Sequence, residues 1–301
     1  MSVDHYENFP VASVLCPPRI RPAVVAIYHF ARTADDLADE GDAPAPDRLH
    51  ALAEMRQDLQ SIYAPGGHAA NPPSQRWPGV FGALAREVQR HALPLQPLAD
   101  LLSAFEQDVH NPIYGSRAQV LDYCTRSANP IGRLLLHLYG VVDPLAERRA
   151  DAVCTALQLI NFWQDLSVDL PRGRCYLPLD DLRRHGLPTA APWKLPDARA
   201  SQRLVAELCH WAHGLMLEGA PLARQLPGRA GWELRLVVQG GLRVLEKIAA
   251  MQFRTLNHRP MLGAADVPRL GWRAITWQHS LSRQQRAWAL AAPGTAAEGS
   301  A

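Results

Sequence analysis

Residues 28–40 have the sequence Tyr28-His29-Phe30-Ala31-Arg32-Thr33-Ala34-Asp35-Asp36-Leu37-Ala38-Asp39-Glu40, and this stretch decides how the chain is interpreted. On a helix, Asp35, Asp36 and Asp39 share one face, because residues three and four apart are neighbours there. Like charges at this spacing repel each other, and Asp is a poor helix former. The acids also lie near the carboxyl end of the helix, which favours cations. Because local physics disfavours the arrangement, it indicates a functional site.

A second polar line lies further along the chain, at Asn161, Asp165 and Asp169. These residues follow one another at intervals of four, so on a helix they form one line. Their neighbours are apolar: Leu157, Ile160, Phe162 and Leu166. A polar line within an apolar helix must face a cavity, a partner or water.

The two acidic clusters together predict a metal site. If they face each other, carboxylates about 6 Å apart repel by roughly 3 kcal/mol per pair at an effective dielectric constant of ~20. Oxygen donors without His or Cys suit Mg²⁺, which takes carboxylates together with phosphate oxygens. The pattern therefore predicts a phosphorylated ligand bridged by Mg²⁺, with Arg32, Arg172 and Arg174 placed to take the remaining phosphate charge. A single acidic triplet is usually a solvated helix end, whereas two clusters flanked by arginines favour the functional interpretation.

Composition excludes several classes of protein. Of the 301 residues, 48% are hydrophobic and 20% charged, which supports a sizeable core and excludes a disordered chain. The formal net charge is only +2, so a nucleic-acid binder is not expected. The five cysteines form no CxxC pair, which favours a protein of the reducing cytoplasm. No uninterrupted apolar stretch approaches the roughly 18 residues that cross a bilayer.

Hydrophobic spacing predicts an all-α fold. Apolar residues recur at intervals of three and four almost throughout, and alternating strand patterns are scarce. Long helices are predicted over 19–40, 117–140, 144–170 and 198–225, among others, with a proline-containing loop over 173–196. We predict one domain over 1–290 and a disordered tail over 291–301.

The order and spacing of three motifs resemble the squalene/phytoene synthase family of prenyl transferases. They are Tyr28-x-Phe30-x-Arg32-x-x-Asp35-Asp36-x-x-Asp39-Glu40, then Tyr123-Cys124 followed by Gly132, then Gln158-x-x-Asn161-x-x-x-Asp165-x-x-x-Asp169-x-x-x-x-Arg174-x-Tyr176-x-Pro178. The resemblance runs from about residue 6 to residue 262. It implies an isoprenoid-synthase helical bundle with a central apolar cavity.

A finer resemblance is to the bacterial, hopanoid-associated hydroxysqualene synthases. It is carried by Tyr6-Glu7-Asn8-Phe9-Pro10-Val11-Ala12-Ser13, Ser127-Ala128-Asn129-Pro130-Ile131-Gly132-Arg133, Asn161-Phe162-Trp163-Gln164-Asp165 and Gly240-Gly241. The Ser-Ala-Asn-Pro segment departs from the Val-Ala-Gly of general squalene and phytoene synthases. The implied reaction converts presqualene diphosphate and water into hydroxysqualene and diphosphate. A presqualene diphosphate synthase would supply the substrate, and a hydroxysqualene reductase would finish squalene.

The resemblance also implies roles for residues. The Mg²⁺ ligands would be Asp35, Asp39, Asn161, Asp165 and Asp169. These aspartates, together with Asp36, Tyr123 and Tyr176, form the predicted catalytic set. Substrate contacts would come from Phe9, Tyr28, Arg32, Asn129, Gln158 and Arg174. NADPH is not expected, and Asn129 is our choice for positioning the water that captures the cation.

Two alternatives stay open at this point. One is another reaction of the family, presqualene diphosphate synthase or squalene/phytoene synthase. The other is a non-catalytic helical protein that kept the fold, although such a protein has no need of repelling carboxylates. Because the implied substrates are hydrophobic, we expect transient contact with a membrane surface.

Overall fold

The computed structural model describes residues 16–65 and 74–290, and all regular structure in these ranges is helical. The helices are α1 Arg21–Asp39, α2 Ala45–Tyr63, α3 Pro78–His91, α4 Leu95–Asp108, α5 Arg117–Ser127, α6 Asn129–Tyr139, α7 Pro144–Gln164, α8 Leu166–Asp169, α9 Leu179–Arg184, α10 Arg199–Gly219, α11 Leu222–Gln225, α12 Gly228–Ala250, α13 Val267–Ile275 and α14 Trp277–Leu290. The all-α prediction is confirmed. Phe9 and the predicted tail over 291–301 lie outside the described residues.

The chain forms two units. The N-terminal unit comprises the described residues of 16–112 together with 122–151. Within it α1 packs against α2, α3 and α4, and α4 packs against α6. Phe30 of α1 and Phe81 of α3 meet edge to face, with ring centroids 5.9 Å apart. Both rings are fully buried, so this pair lies at the centre of the unit's core.

Helix α1 has two opposite faces. Its apolar face carries Ile27, Phe30 and Ala34, which are buried in the core of the N-terminal unit. Arg32 and Asp35 lie on the other side of the helix, half-buried. Burial of the apolar face therefore fixes the direction in which the acidic face points.

The C-terminal unit comprises residues 113–121 and 152–290. Within it α12 packs against α10, α11 and α13. A Cβ atom added to Gly241 of α12 would lie 2.8 Å from Met216 Cε and 3.0 Å from Leu157 Cδ2. The glycine thus allows α12 to approach α10 and α7 closely, which no larger residue permits without movement of these side chains.

Three predicted helices are interrupted, so their predicted continuity was wrong. The segment 117–140 breaks at Ala128, because Pro130 has no N–H and its ring would clash with a carbonyl one turn earlier. The segment 144–170 breaks at Asp165, whose φ of −98° and ψ of 10° leave the helical region. The segment 198–225 breaks before Pro221 for the same reason as the first. The predicted loop over 173–196 contains the short helix α9.

The length and hydrophobicity of the helices determine whether any of them could cross a membrane. Within the described ranges no helix is both long and apolar enough to cross a bilayer. Whether residues 1–290 form one domain stays a prediction.

Candidate functional site

The acidic face of α1 is organised around one arginine. Arg32 donates from Nη1 to Asp35 Oδ2 at 2.9 Å, and its Nη2 lies 2.7 Å from Asp36 Oδ1. The same Nη2 donates to Glu40 Oε1 at 2.9 Å. Tyr28 lies one turn before Arg32, and Asp39 lies one turn after Asp35, on the same side of the helix. The structure thus gathers five of the predicted site residues on one face of α1.

Burial and charge act together on this face. Burial alone would lower the pKa of Arg32, but Asp35, Asp36 and Glu40 raise it above its ordinary value. The guanidinium therefore stays charged and offsets the repulsion that the spacing predicts. The side chains of Asp35 and Asp36 are only 34% and 42% exposed. They are not the fully solvated carboxylates of an ordinary helix end.

The second polar line keeps its spacing although the helix is interrupted. The backbone N–H of Asp165 donates to the carbonyl of Asn161 at 2.9 Å, and that of Asp169 donates to Asp165 at 2.9 Å. Asn161 is exposed, while Asp165, Asp169 and Gln158 are half-buried. The break at Asp165 therefore leaves the three predicted ligands one turn apart from each other.

Arg259 is a site residue that sequence reasoning missed. Its Nε donates to Asp165 Oδ1 at 2.5 Å and its Nη2 to Asp165 Oδ2 at 3.0 Å. This two-pronged geometry is the strong form of an arginine–carboxylate pair. Arg259 follows α12 in a segment without helical periodicity, so no spacing pattern in the sequence could connect it with Asp165.

Arg174 is tied to the second line through its backbone. Its N–H donates to the carbonyl of Asp169 at 3.0 Å, across a tight turn in which Gly173 has a φ of +78°. This left-handed conformation favours glycine. The turn brings the backbone of Arg174 next to Asp169, whereas Arg172 is exposed.

An aromatic stack accompanies the second line. The ring of Tyr176 lies parallel to that of Phe162, with centroids 3.7 Å apart, and stacks on Tyr114 at 5.9 Å. Phe162 precedes Asp165 by one turn of helix. The structure therefore places Tyr176 among aromatic partners, of which Tyr114 was not predicted.

Tyr123 and Asn129 lie in the N-terminal unit, and both are buried. The Tyr123 hydroxyl donates to Asp108 Oδ2 at 2.7 Å. Asn129 is the first residue of α6, directly after the break at Ala128. Asp108, the last residue of α4, is therefore the hydrogen-bond partner of Tyr123, and the sequence motifs did not reveal it.

The donor set fits Mg²⁺ in its chemistry. Carboxylate and amide oxygens are the ligands that this cation prefers, and neither line contains His or Cys. Among the described residues no three His, Cys, Asp or Glu side chains come together as a metal cluster. The acids instead lie along helical faces and contact arginines. That the two lines face each other stays a prediction.

Comparison with known proteins identifies a family and several relatives of this chain. The squalene/phytoene synthase model matches residues 3–266. The chain is 38% identical to hydroxysqualene synthase of Zymomonas mobilis over 60% of its own length and 57% of that protein. It is 32% identical to the presqualene diphosphate synthase of the same organism, over 64% of its own length and 63% of that protein. The chain thus spans only 57% and 63% of these two relatives. With hydroxysqualene synthase of Rhodopseudomonas palustris it shares 31% identity over 77% of its own length and 75% of that protein.

Solved structures agree in fold. The crystal structure of squalene synthase HpnC from Alicyclobacillus acidocaldarius superposes with a TM-score of 0.74 at 34% identity, over 83% of this chain and 90% of that chain. A dehydrosqualene synthase has the same fold, with a TM-score of 0.70 at 20% identity over 88% of this chain and 89% of that one. The helical isoprenoid-synthase fold is therefore shared. The chain belongs to the squalene/phytoene synthase family.

Proposed function

We propose that this protein is a hydroxysqualene synthase, which converts presqualene diphosphate and water into hydroxysqualene and diphosphate. The observation that carries the proposal is the pair of half-buried acidic lines, each already in contact with an arginine. Such lines suit a diphosphate leaving group, since its departure requires positive charge on the phosphate oxygens. Two relatives at 38% and 31% identity bear the name hydroxysqualene synthase.

We assign Mg²⁺ binding to Asp35, Asp39, Asn161, Asp165 and Asp169, with Asp36 in support. When bound, Mg²⁺ would neutralise the charge that develops on diphosphate as the carbon–oxygen bond breaks. In this assignment residues 1–290 form one domain with a central apolar cavity. NADPH takes no part in the reaction.

The arginines of the chain prepare the site for the leaving group. Arg32 and Arg259 hold the carboxylates in position through their ion pairs. We assign a third phosphate contact to Arg174, whose backbone N–H donates to the carbonyl of Asp169. As diphosphate departs with the electron pair of the broken bond, these groups stabilise its charge in a partly buried environment.

Aromatic and polar residues then act on the carbocation. We assign the carbocation contact to the aromatic stack of Tyr176, Phe162 and Tyr114, since a cation over an aromatic ring face gains about 0.5–2 kcal/mol. Asn129 positions the water molecule whose oxygen bonds to the cation and which then loses a proton. Tyr28, Gln158, Tyr123 and Phe9 complete the substrate contacts, Phe9 lying outside the described residues.

The alternative within the family is a presqualene diphosphate synthase or a squalene/phytoene synthase acting on prenyl diphosphates. One relative named presqualene diphosphate synthase is 32% identical to this chain, which supports this alternative. For either reaction we propose a cytoplasmic protein that contacts the membrane surface transiently. A presqualene diphosphate synthase and a hydroxysqualene reductase would be its functional partners.

Product analysis tests the proposal. The purified chain is incubated with presqualene diphosphate and Mg²⁺ in the absence of NADPH, with Asp165→Asn as the inactive control. We expect a hydroxylated C30 alcohol and free diphosphate, and no product from farnesyl diphosphate alone. Turnover of farnesyl diphosphate without turnover of presqualene diphosphate would overturn the assignment in favour of the alternative.

A further inference from the structure

Helix α13 turns its apolar side outward. Val267, Trp272 and Ile275 are 65%, 67% and 64% exposed. Arg273, in contrast, points inward and lies 2.8 Å from Glu246 of α12. A surface helix usually buries its apolar stripe, whereas three large apolar side chains of α13 face outward beside the exposed Arg269. The outward stripe of α13 therefore has a use other than packing within its own unit.

A basic cavity of about 650 Å³ adjoins this helix within the C-terminal unit. Among the described residues that line it, Glu246 is the only acidic one, and it is balanced by Arg273 at 2.8 Å and Arg243 at 3.0 Å. Within residues 16–65 and 74–290, Arg269 and Arg283 form no ion pair, so the cavity carries excess positive charge. The side chains that give it this character are Arg269, Arg273 and Arg283, and Trp272 and Trp288 lie beside them.

We propose that the outward face of α13 and the adjoining basic cavity dock on a membrane surface that contains anionic phospholipids. Val267, Trp272 and Ile275 would enter the boundary between head groups and acyl chains, a region in which tryptophan is enriched in membrane proteins. Arg269 and Arg283 would bind the phosphate groups of the lipids. This proposal deepens the transient membrane contact that is part of the proposed function. It rests on that contact alone and does not depend on which product the enzyme forms.

Charge favours a lipid surface over a second copy of this chain. A symmetric dimer through α13 would bring Arg269 and Arg283 of both copies to one interface, where like charges repel. An anionic bilayer offers the opposite charge together with an apolar layer. Both properties of the surface are thereby matched by one occupant.

Vesicle flotation tests the proposal with the full chain and no substrate. Vesicles of phosphatidylcholine alone are compared with vesicles containing one third phosphatidylglycerol. We expect binding to the anionic vesicles at least tenfold stronger than to the neutral ones, weakening as salt is raised. The double variant Trp272→Ser/Ile275→Ser should lose at least tenfold in binding, and Arg269→Gln/Arg283→Gln should lose the preference for phosphatidylglycerol.

Trp232→Ser is the matched control, because Trp232 is an exposed tryptophan of the same unit, on α12, and should leave flotation unchanged. Circular dichroism verifies that each variant is folded. Equal flotation of all variants, or equal binding to both vesicle types, overturns the proposal. So does a dimer that Trp272→Ser/Ile275→Ser dissociates. Because no substrate is present, failure of the proposed reaction leaves this result unaffected, and the product assay is read separately.

Discussion

The guanidinium of Arg259 contacts both carboxylate oxygens of Asp165, with Nε 2.5 Å from Oδ1 and Nη2 3.0 Å from Oδ2. The two residues are 94 positions apart in the chain. The second polar line thus has its own counterion, just as Arg32 serves the acids of α1. Each acidic line therefore has an arginine as a counterion, and a phosphate group could engage the same arginine.

A double-mutant cycle measures this pair. Arg259→Gln should lower the free energy of unfolding, because it leaves the half-buried Asp165 carboxylate without a partner. Adding Asp165→Asn should restore part of the loss, giving a coupling energy of about 1–3 kcal/mol in urea unfolding. Arg203→Gln, at an exposed arginine of the same unit, should change stability by less than about 0.5 kcal/mol. Effects that simply add would show that the pair does not stabilise the fold.

The acidic face of α1 is tested by activity. Asp35→Asn should reduce kcat/KM by roughly 100-fold or more, because it removes a predicted metal ligand that faces the leaving group. Asp42→Asn, at an exposed aspartate just beyond the end of α1, should leave the rate within a factor of about 2. Steady-state kinetics with presqualene diphosphate gives both values. Equal activity of the two variants would remove α1 from the catalytic site.

Asn129 is tested by the ratio of products. If its amide positions the attacking water, Asn129→Ala should lower the share of hydroxysqualene among the C30 products, because other routes then compete for the cation. A ratio is informative even when less protein folds, since every product comes from folded enzyme. Ser127→Ala, two residues earlier, provides the control. A product ratio that Asn129→Ala leaves unaltered would refute the role of Asn129.

Two buried glutamines should respond oppositely to the same substitution. Gln164 and Gln239 are both fully buried, but Gln164 Nε2 donates to the carbonyl of Pro260 at 2.6 Å. Within the described part of the chain, neither amide atom of Gln239 has a hydrogen-bond partner. Gln239→Met should therefore raise the free energy of unfolding by about 1 kcal/mol, and Gln164→Met should lower it by about 1–3 kcal/mol. Chemical denaturation distinguishes these signs, and a loss for both would contradict the interpretation of Gln239.

His213 predicts a pH dependence of stability. Burial lowers its pKa to about 4, with His210 acting in the same direction and Glu246 against it. In the unfolded chain the pKa is about 6.5, so between these values the unfolded state binds more protons. Stability should thus fall as pH drops from about 6.5 to about 4, by up to about 3 kcal/mol from this residue.

The matching variants separate His213 from the other histidines. His213→Leu should flatten the fall in stability between about pH 6.5 and 4, because the titrating group is gone. His50→Gln, at an exposed histidine on α2, should leave the curve as it is. Thermal unfolding at a series of pH values gives both profiles, and identical slopes for His213→Leu and the parent chain would exclude the assigned role.

The sequence predicts what local spacing controls. Helical period and acid spacing predict the faces of α1 and the line from Asn161 to Asp169. The break at Ala128 was also within reach, because Pro130 is visible in the sequence and cannot continue a helix. Contacts formed by tertiary packing could not be predicted from the sequence, since no local rule connects Arg259 with Asp165 or Tyr114 with Tyr176. Spacing shows which residues share a face of α13, but not whether that face is covered.

The two faces of α1 also determine when the acidic site is assembled. Burial of a side chain such as Phe30 contributes about 1.5–3 kcal/mol, whereas a like-charge pair on a helix surface costs only about 0.2–0.5 kcal/mol. The apolar face therefore holds Asp35, Asp36 and Asp39 in register against their mutual repulsion, with Arg32 assisting. The carboxylates are preorganised during folding, and an arriving ligand need not spend its binding energy on gathering them.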